Sequence, residues 1–315
     1  ASACRLCPRG CGARRTEGAT GLCGAADPHM ALVARALPHF GEEPPLAGSG
    51  GSGAVFFAGC GLQCVFCQNS QISQPPGGDF AAAGVQELSA EELSGLFSLL
   101  QQSGCHNLNL VTGASHVPAV LAALGLAAQS GFSLPVVYNS GGYESSECLE
   151  LLDSVVDIYL PDIKFGREAA AAGLAEGPDY VSVNRRCVKE MFRQVGLLET
   201  GPDGLARRGL IVRHLVLPGD LSGTREVLEF LAREVSVEVH LSLMAQYYPT
   251  HRVRDLPPLS RPLTEAEYEK ALELLAEYGF ENGWVQALQS GDNYRPDFSQ
   301  PNPFGPSPPE PETAV

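Results

Sequence analysis

Long apolar runs, basic residues and phosphate-binding loops are what this 315-residue chain has little of. No stretch approaches the ~20 uninterrupted apolar residues of a membrane span, and the first residues, Ala-Ser-Ala-Cys-Arg, carry no signal-peptide pattern. A membrane is therefore not an expected partner, and the expected location is the cytoplasm. Lysine and arginine total 21 against 36 aspartates and glutamates, a formal net charge of −15. Nucleic-acid binding needs a basic face, so no nucleic acid is expected as a partner either. No glycine phosphate loop follows a strand-like run, which argues against a dinucleotide-binding doubly wound sheet. Disorder is excluded as well, because 44% hydrophobic content over this length buries a full core in one large domain plus a small appendage.

What the chain does have is ten cysteines, and they cluster. In a reducing compartment, clustered cysteines point to metal ligands more than to disulfides. The tightest group is Cys60-x3-Cys64-x2-Cys67, directly after the apolar run Gly53-Ala54-Val55-Phe56-Phe57-Ala58. Three thiolates can hold three corners of a cubane iron–sulfur cluster and leave the fourth iron without a protein ligand. A zinc knuckle or three unconnected thiols is the alternative. A second group, Cys4, Cys7, Cys11 and Cys23, sits among glycines and prolines. Structural zinc and a second 4Fe-4S cluster both suit four thiolates, with a disulfide framework as the third reading. Cys105, Cys148 and Cys187 stand alone and read as buried small hydrophobes.

Six apolar runs, at 53–58, 106–111, 134–138, 155–160, 209–216 and 237–243, alternate with helical patterns at 88–102, 117–129, 144–153, 167–176, 224–234 and 263–278. Ser89-Ala90-Glu91-Glu92 and Thr264-Glu265-Ala266-Glu267 have the form of helix N-termini. Such alternation favours a parallel sheet with right-handed crossovers, an α/β fold, and six repeats suit a partial (β/α)6 barrel. The expected division is a cysteine-rich metal-binding extension over 1–47, the barrel over 48–295 and a proline-rich flexible tail over 296–315. Gly48-Ser49-Gly50-Gly51-Ser52-Gly53 has the composition of a flexible linker at the domain entry. Glu42 and Glu43, beside prolines, read as a solvated turn, while His29 and His39 read as ordinary polar residues.

In parallel α/β folds the chemistry sits on loops after the C-terminal strand ends. The three-cysteine loop follows the first strand, and the later ends carry polar residues: Asn109 to His116, Tyr138 to Tyr143, Asp162 to Lys164, Arg213-His214 and Gln246 to Tyr248.

The Cys60-x3-Cys64-x2-Cys67 spacing, with aromatic Phe66 before the last cysteine, resembles the radical S-adenosylmethionine (radical SAM) superfamily. The segments Cys4 to Arg9, His39 to Pro45, Cys67-Gln68-Asn69, Val137 to Tyr143, Asp157 to Asp162 and Arg213 to Pro218 resemble its pyruvate formate-lyase activating enzyme-like, or glycyl radical enzyme activating enzyme-like, branch. The likeness extends over roughly residues 4 to 290. It implies an oxidoreductase in which a 4Fe-4S cluster on Cys60, Cys64 and Cys67 binds SAM at its open iron. One electron from a reduced flavodoxin or ferredoxin-like donor cleaves SAM to methionine and a 5'-deoxyadenosyl radical, which abstracts a hydrogen atom. The implied target is a glycine in a protein partner, with another peptide or a small molecule as the alternative. Carried over residue by residue, the resemblance assigns SAM contacts to Phe66, Asn139, Ser140, Asp162, Lys164 and Arg213. Lys164 would neutralise the methionine carboxylate, and Asp162 would help hold a monovalent cation. Where the branch has Gly-Gly-Glu-Pro this chain reads Val111-Thr112-Gly113-Ala114, without the glutamate, so Thr112 and Gly113 are expected to contribute backbone carbonyls. For Lys164 and Arg213 a structural ion pair is the competing reading. Two functions of other classes are an iron–sulfur electron carrier and a zinc-bound interaction module.

Overall fold

The computed structural model describes residues 3–292, 295–305 and 313–315. Its strands are β1 Ala31–His39, β2 Ser52–Phe57, β3 Gln86–Leu88, β4 Leu108–Val111, β5 Val136–Ser140, β6 Ile158–Pro161, β7 Glu199–Thr200, β8 Ala206–Leu215, β9 His240–Met244, β10 Gly283–Val285 and β11 Thr313–Ala314. Its helices are α1 Pro44–Ala47, α2 Ser70–Ser73, α3 Ala90–Gln102, α4 Val117–Gln129, α5 Ser146–Leu152, α6 Glu168–Leu174, α7 Tyr180–Val195, α8 Thr224–Glu234 and α9 Glu265–Glu277. The fold is mixed α/β around one large sheet, ordered β11-β10-β9-β8-β6-β5-β4-β2-β1-β3 with β7 beside β8.

From β2 to β10 every neighbouring pair along that path is parallel. Antiparallel pairs occur only at its margins, β1 on β2, β3 on β1, β7 on β8 and β11 on β10. A parallel strand covered on both faces reads as a continuous apolar run, and β2, β4, β5 and β6 are buried at every position. The six apolar runs of the sequence coincide with β2, β4, β5, β6, β8 and β9, to within a few residues at their ends. Two of the crossover helices begin with full capping boxes, Ser89 with Glu92 and Thr264 with Glu267.

Four features depart from the sequence reading. Helix α7 adds a second crossover element between β6 and β8; its buried Val181, Val183, Cys187, Val188, Met191 and Val195 form the inward stripe. The short β10 extends the parallel run to a seventh strand. The glycine-rich stretch before β2 is packed rather than loose: a Cβ on Gly50 would lie 2.2 Å from the Gly104 carbonyl oxygen, and buried Ser52 hydrogen bonds Asn107 at 2.6 Å. Finally, part of the expected tail is tied down. Phe298 is buried against Phe56, and Arg35 binds the carbonyls of Phe298 and Gln300. Residues 306–312 of that tail lie outside the described residues. Among those described, no helix is long and apolar enough to cross a membrane.

Candidate functional site

Strand β2 delivers the three-cysteine loop. After Phe57 the chain continues beside β1, with Ala58 N–H donating to the Leu32 carbonyl, and buried His116 bonds the Ala58 carbonyl through Nε2 at 3.0 Å. Burial pushes His116 down to about 4, so it stays neutral there. The loop turns at Gly59, whose φ of +79° is left-handed. Cys67 N–H then reaches the Cys64 carbonyl at 3.3 Å, and Val65 N–H reaches the Leu174 carbonyl at 3.0 Å. Gln74 Nε2 donates to the Cys64 carbonyl at 3.2 Å.

A cavity of about 230 Å³ opens at the C-terminal ends of the parallel strands. Cys60, Cys64 and Cys67 line it, as do Phe66, Thr112, Asn139, Ser140, Asp162, Lys164 and Arg213. Ten of the eleven residues expected around the main site therefore share one space. Gly113 does not line it; a Cβ there would lie 3.5 Å from the Phe57 ring, so this glycine faces the core. Thr112, just before it, carries a left-handed φ of +61° and donates its N–H to the Asn139 carbonyl at 2.8 Å. A β-branched residue held there costs on the order of 1–3 kcal/mol, and such strain concentrates at ligand sites.

The electrostatics are set by paired groups. Lys164 Nζ bonds Asp162 Oδ2. Burial works against the ammonium, yet the Asp162 carboxylate prevails and holds Lys164 above the usual lysine range. Tyr180 fixes this segment by accepting from the Lys164 N–H at 3.0 Å and lying 3.0 Å from the Gly141 carbonyl. A Cβ on Gly141 would meet Leu62 Cδ1 at 2.7 Å, so a larger residue there needs that side chain to shift. Arg213 binds Glu43 through Nε and Nη2, and Glu42 through Nη2. Glu42 also accepts from Asn109 Nδ2 at 2.8 Å. Its burial favours the neutral acid, but Arg213 holds it below the ordinary carboxylate range.

The solvated turn expected at Glu42-Glu43 is thus corrected: both side chains are buried, and their partner is an arginine that only the fold brings near. Arg213, expected to meet the cofactor, has its Nε and Nη2 committed to those carboxylates. His39 was also overlooked; it lines the cavity, buried, with its ring centroid 4.1 Å from that of Phe304.

Burial raises the Cys60 and Cys64 thiols, with the neighbouring cysteines adding to it. Thiols in that setting need a positive group to be held as thiolates, and Lys164 contributes to that at both. Among the described residues no three His, Cys, Asp or Glu side chains converge closely enough to hold a single metal ion. A cubane asks for something different, one thiolate on each of several irons. Three thiols around one cavity are a donor set of that kind. Cys4, Cys7, Cys11 and Cys23 line a separate small cavity on the far side of Gly61.

No family model matches the chain. It is 29% identical over 282 residues to the uncharacterized protein MJ0674 of Methanocaldococcus jannaschii, an alignment that covers 88% of this chain and 75% of the relative. A solved structure of TYW1 with a lysine-pyruvate adduct bound aligns with 75% of this chain and 77% of its own, at a TM-score of 0.42 and 12% identity.

Proposed function

We propose that this protein is a radical SAM enzyme built on a partial (β/α)6 barrel, with β2, β4, β5, β6, β8 and β9 as its six strands. The observation that carries the reading is the shared cavity: the three cysteines of the loop after β2 face the polar ends of β4, β5, β6 and β8 across one space. Cys60, Cys64 and Cys67 would hold a 4Fe-4S cluster, which when loaded supplies one-electron reductive cleavage of bound SAM.

The chain's own residues have the remaining tasks. Lys164, oriented by Asp162 and pinned through its N–H by Tyr180, offers an ammonium to the methionine carboxylate. Asn139 and Ser140 present polar groups from β5, and Thr112 is locked in place by its bond to the Asn139 carbonyl. Phe66, buried between Phe165 and Tyr247, closes the apolar side of the loop. Two cations, Lys164 and Arg213, stand against three carboxylates, Asp162, Glu42 and Glu43. That surplus of negative charge favours a cationic sulfonium over an anionic ligand.

By the resemblance of its motifs, the finer reading is activation of a glycyl radical enzyme-like partner in the cytoplasm, with reduced flavodoxin or ferredoxin-like protein as donor. Asp162 is the candidate ligand of a monovalent cation, and Cys4, Cys7, Cys11 and Cys23 of a second metal group, zinc or iron–sulfur. The test is anaerobic reconstitution with iron and sulfide, followed by dithionite and SAM. Release of 5'-deoxyadenosine that disappears in Cys60→Ala, Cys64→Ala and Cys67→Ala supports the reading, and its absence from an iron-loaded wild type rejects it. The partner is tested separately: a stable glycyl radical on a protein encoded beside this one supports activation. Turnover of a small molecule without that radical rejects it.

A further inference from the structure

We propose that Arg35, Phe56 and Gln71 form a docking groove for a peptide with aromatic anchors, filled here by the chain's own residues 296–304, which an incoming segment of a protein substrate displaces. The role of that segment as substrate rests on the radical SAM reading above; the groove stands on its own observations.

The first is how residues 296–304 are attached. Among the described residues their backbone-to-backbone hydrogen bonds close within the segment and its neighbour Gly305, with Asp297 N–H on the Pro303 carbonyl at 2.9 Å and Gln300 N–H on the Asp297 carbonyl at 3.0 Å. A strand added to the sheet would pair its backbone with β1, whereas this is a closed loop held from outside. Side chains do the holding. Arg35 donates to the Phe298 carbonyl at 2.5 Å and to the Gln300 carbonyl at 3.1 Å, and Gln71 accepts from the Phe298 N–H at 2.7 Å. The Gln71 amide also donates to Asp297 Oδ1 at 3.2 Å. Three of those four bonds address main-chain atoms, which any peptide of the same shape provides.

The second is what the groove asks of side chains. Phe298 is buried in one cluster with Ala34, Phe56 and Ile72, its ring centroid 5.5 Å from that of Phe56. Phe304 is half-buried, with centroids 5.3 Å from Phe56 and 4.1 Å from His39. Between them Ser299, Gln300, Pro301 and Asn302 are exposed. Contact thus consists of main-chain bonds plus two aromatic anchors, a division in which the backbone supplies affinity and the pocketed rings supply selectivity.

The third is where the groove leads. Pro296 and Phe304 line the same cavity as Cys60, Cys64 and Cys67. Gln71 lies on α2, just after the three-cysteine loop, and Ser73 of that helix has its Oγ 3.3 Å from Cys67 Sγ. A chain docked in the groove is therefore delivered to the cavity at its β1 side, and Phe304 closes that side while the chain's own segment is in place.

The experiment alkylates metal-free, reduced, full-length protein with iodoacetamide and follows each cysteine by mass spectrometry. Exposed Cys11 reports the reagent, and buried Cys148 and Cys187 report unfolding. Cys67 is expected to react about tenfold faster in Phe298→Ala and in Phe304→Ala than in wild type, with Cys148 and Cys187 unchanged. If Phe298→Ala unfolds, those two cysteines react as well, and Phe304→Ala, which loses only a half-buried ring, decides. Equal Cys67 rates in wild type and Phe304→Ala overturn the proposal. Excess synthetic peptide of residues 296–305 should return Cys67 of Phe304→Ala to the wild-type rate, and should fail to do so in Phe304→Ala/Arg35→Gln. A peptide without effect, or equal protection by the peptide carrying Phe298→Ala and Phe304→Ala, overturns the groove. The labelled peptide should also bind Phe304→Ala more tightly than wild type, because the resident segment competes; equal affinity overturns displacement. None of these readouts needs a cluster. A reconstituted wild type that releases no 5'-deoxyadenosine, with Cys67 protection intact, rejects the radical SAM reading and leaves the groove supported.

Discussion

Arg213 meets Glu43 in a two-point ion pair, Nε to Oε1 and Nη2 to Oε2, both at 2.7 Å, across 170 residues of sequence. With Glu42 on the same guanidinium, three charged groups are removed from water together at the wall of the main cavity. The arrangement makes Arg213 a fixed part of the wall: two of its three nitrogens already serve carboxylates, and only Nη1 makes no hydrogen bond among the described residues. It orients the segment between β1 and α1 against the end of β8, and it leaves Lys164 as the ammonium nearest the three-cysteine loop.

Removing the arginine alone strands two buried carboxylates. Arg213→Met is expected to lower stability by about 3–5 kcal/mol, read as a shifted urea midpoint. Adding Glu42→Gln and Glu43→Gln to it should recover a large part of the loss. Equal midpoints for wild type and Arg213→Met would contradict this account of the wall.

A third buried carboxylate behaves oppositely. Glu144 lies at the end of the β5 loop, 1% exposed, with Oε2 unpartnered. Burial lifts it from its ordinary 4.5 to about 7. Because the folded state holds this proton more tightly than the unfolded chain, its contribution is full below about 4.5 and is lost as pH rises through about 7. Glu144→Gln should therefore match wild type near pH 4 and exceed it at pH 8 by on the order of 3 kcal/mol. Denaturant curves at the two pH values decide it.

Gly59 is constrained twice, by its left-handed φ and by the Cys23 carbonyl. Gly77 shares the φ sign, at +66°, but has nothing within 4 Å of a built Cβ. Gly59→Ala should cost well over about 1 kcal/mol and Gly77→Ala about 1 kcal/mol or less. Comparable melting temperatures for the two would show that the N-terminal cysteine group does not press on the loop.

Lys164→Met removes an ammonium without removing bulk. Loss of one charge-assisted bond, on the order of 1.5–3 kcal/mol, should weaken SAM binding about tenfold or more in equilibrium dialysis of the reconstituted protein. Unchanged affinity would return Lys164 to a purely structural pair with Asp162.

The residues that were legible in the sequence carry local signals. Three cysteines within eight positions, the two capping boxes and the apolar runs of the central strands are each written in a few neighbouring letters. The polar ends of β4, β5 and β6 followed from the rule that parallel strands point their C-terminal ends at one space. Glu42 and Glu43 were misread because their burial depends on Arg213, which no local pattern reveals. Nothing in the letters around Gly59 shows that its lack of a Cβ is what admits the Cys23 carbonyl, a contact made only by the fold. Helix α7 did carry a signal, with Val181, Val188, Met191 and Val195 near helical spacing, but the polar residues between them obscured it. At β10 only three residues form the strand, and its register with β9 is set by the fold.

The central claim is that Cys60, Cys64 and Cys67 share a cubane with an iron open to SAM. Its most direct test is EPR of the dithionite-reduced Cys4→Ala/Cys7→Ala protein, before and after SAM is added. The account predicts a 4Fe-4S signal whose g-values change when SAM binds. A signal that SAM leaves untouched, or no cluster signal in an iron-loaded sample, would contradict it.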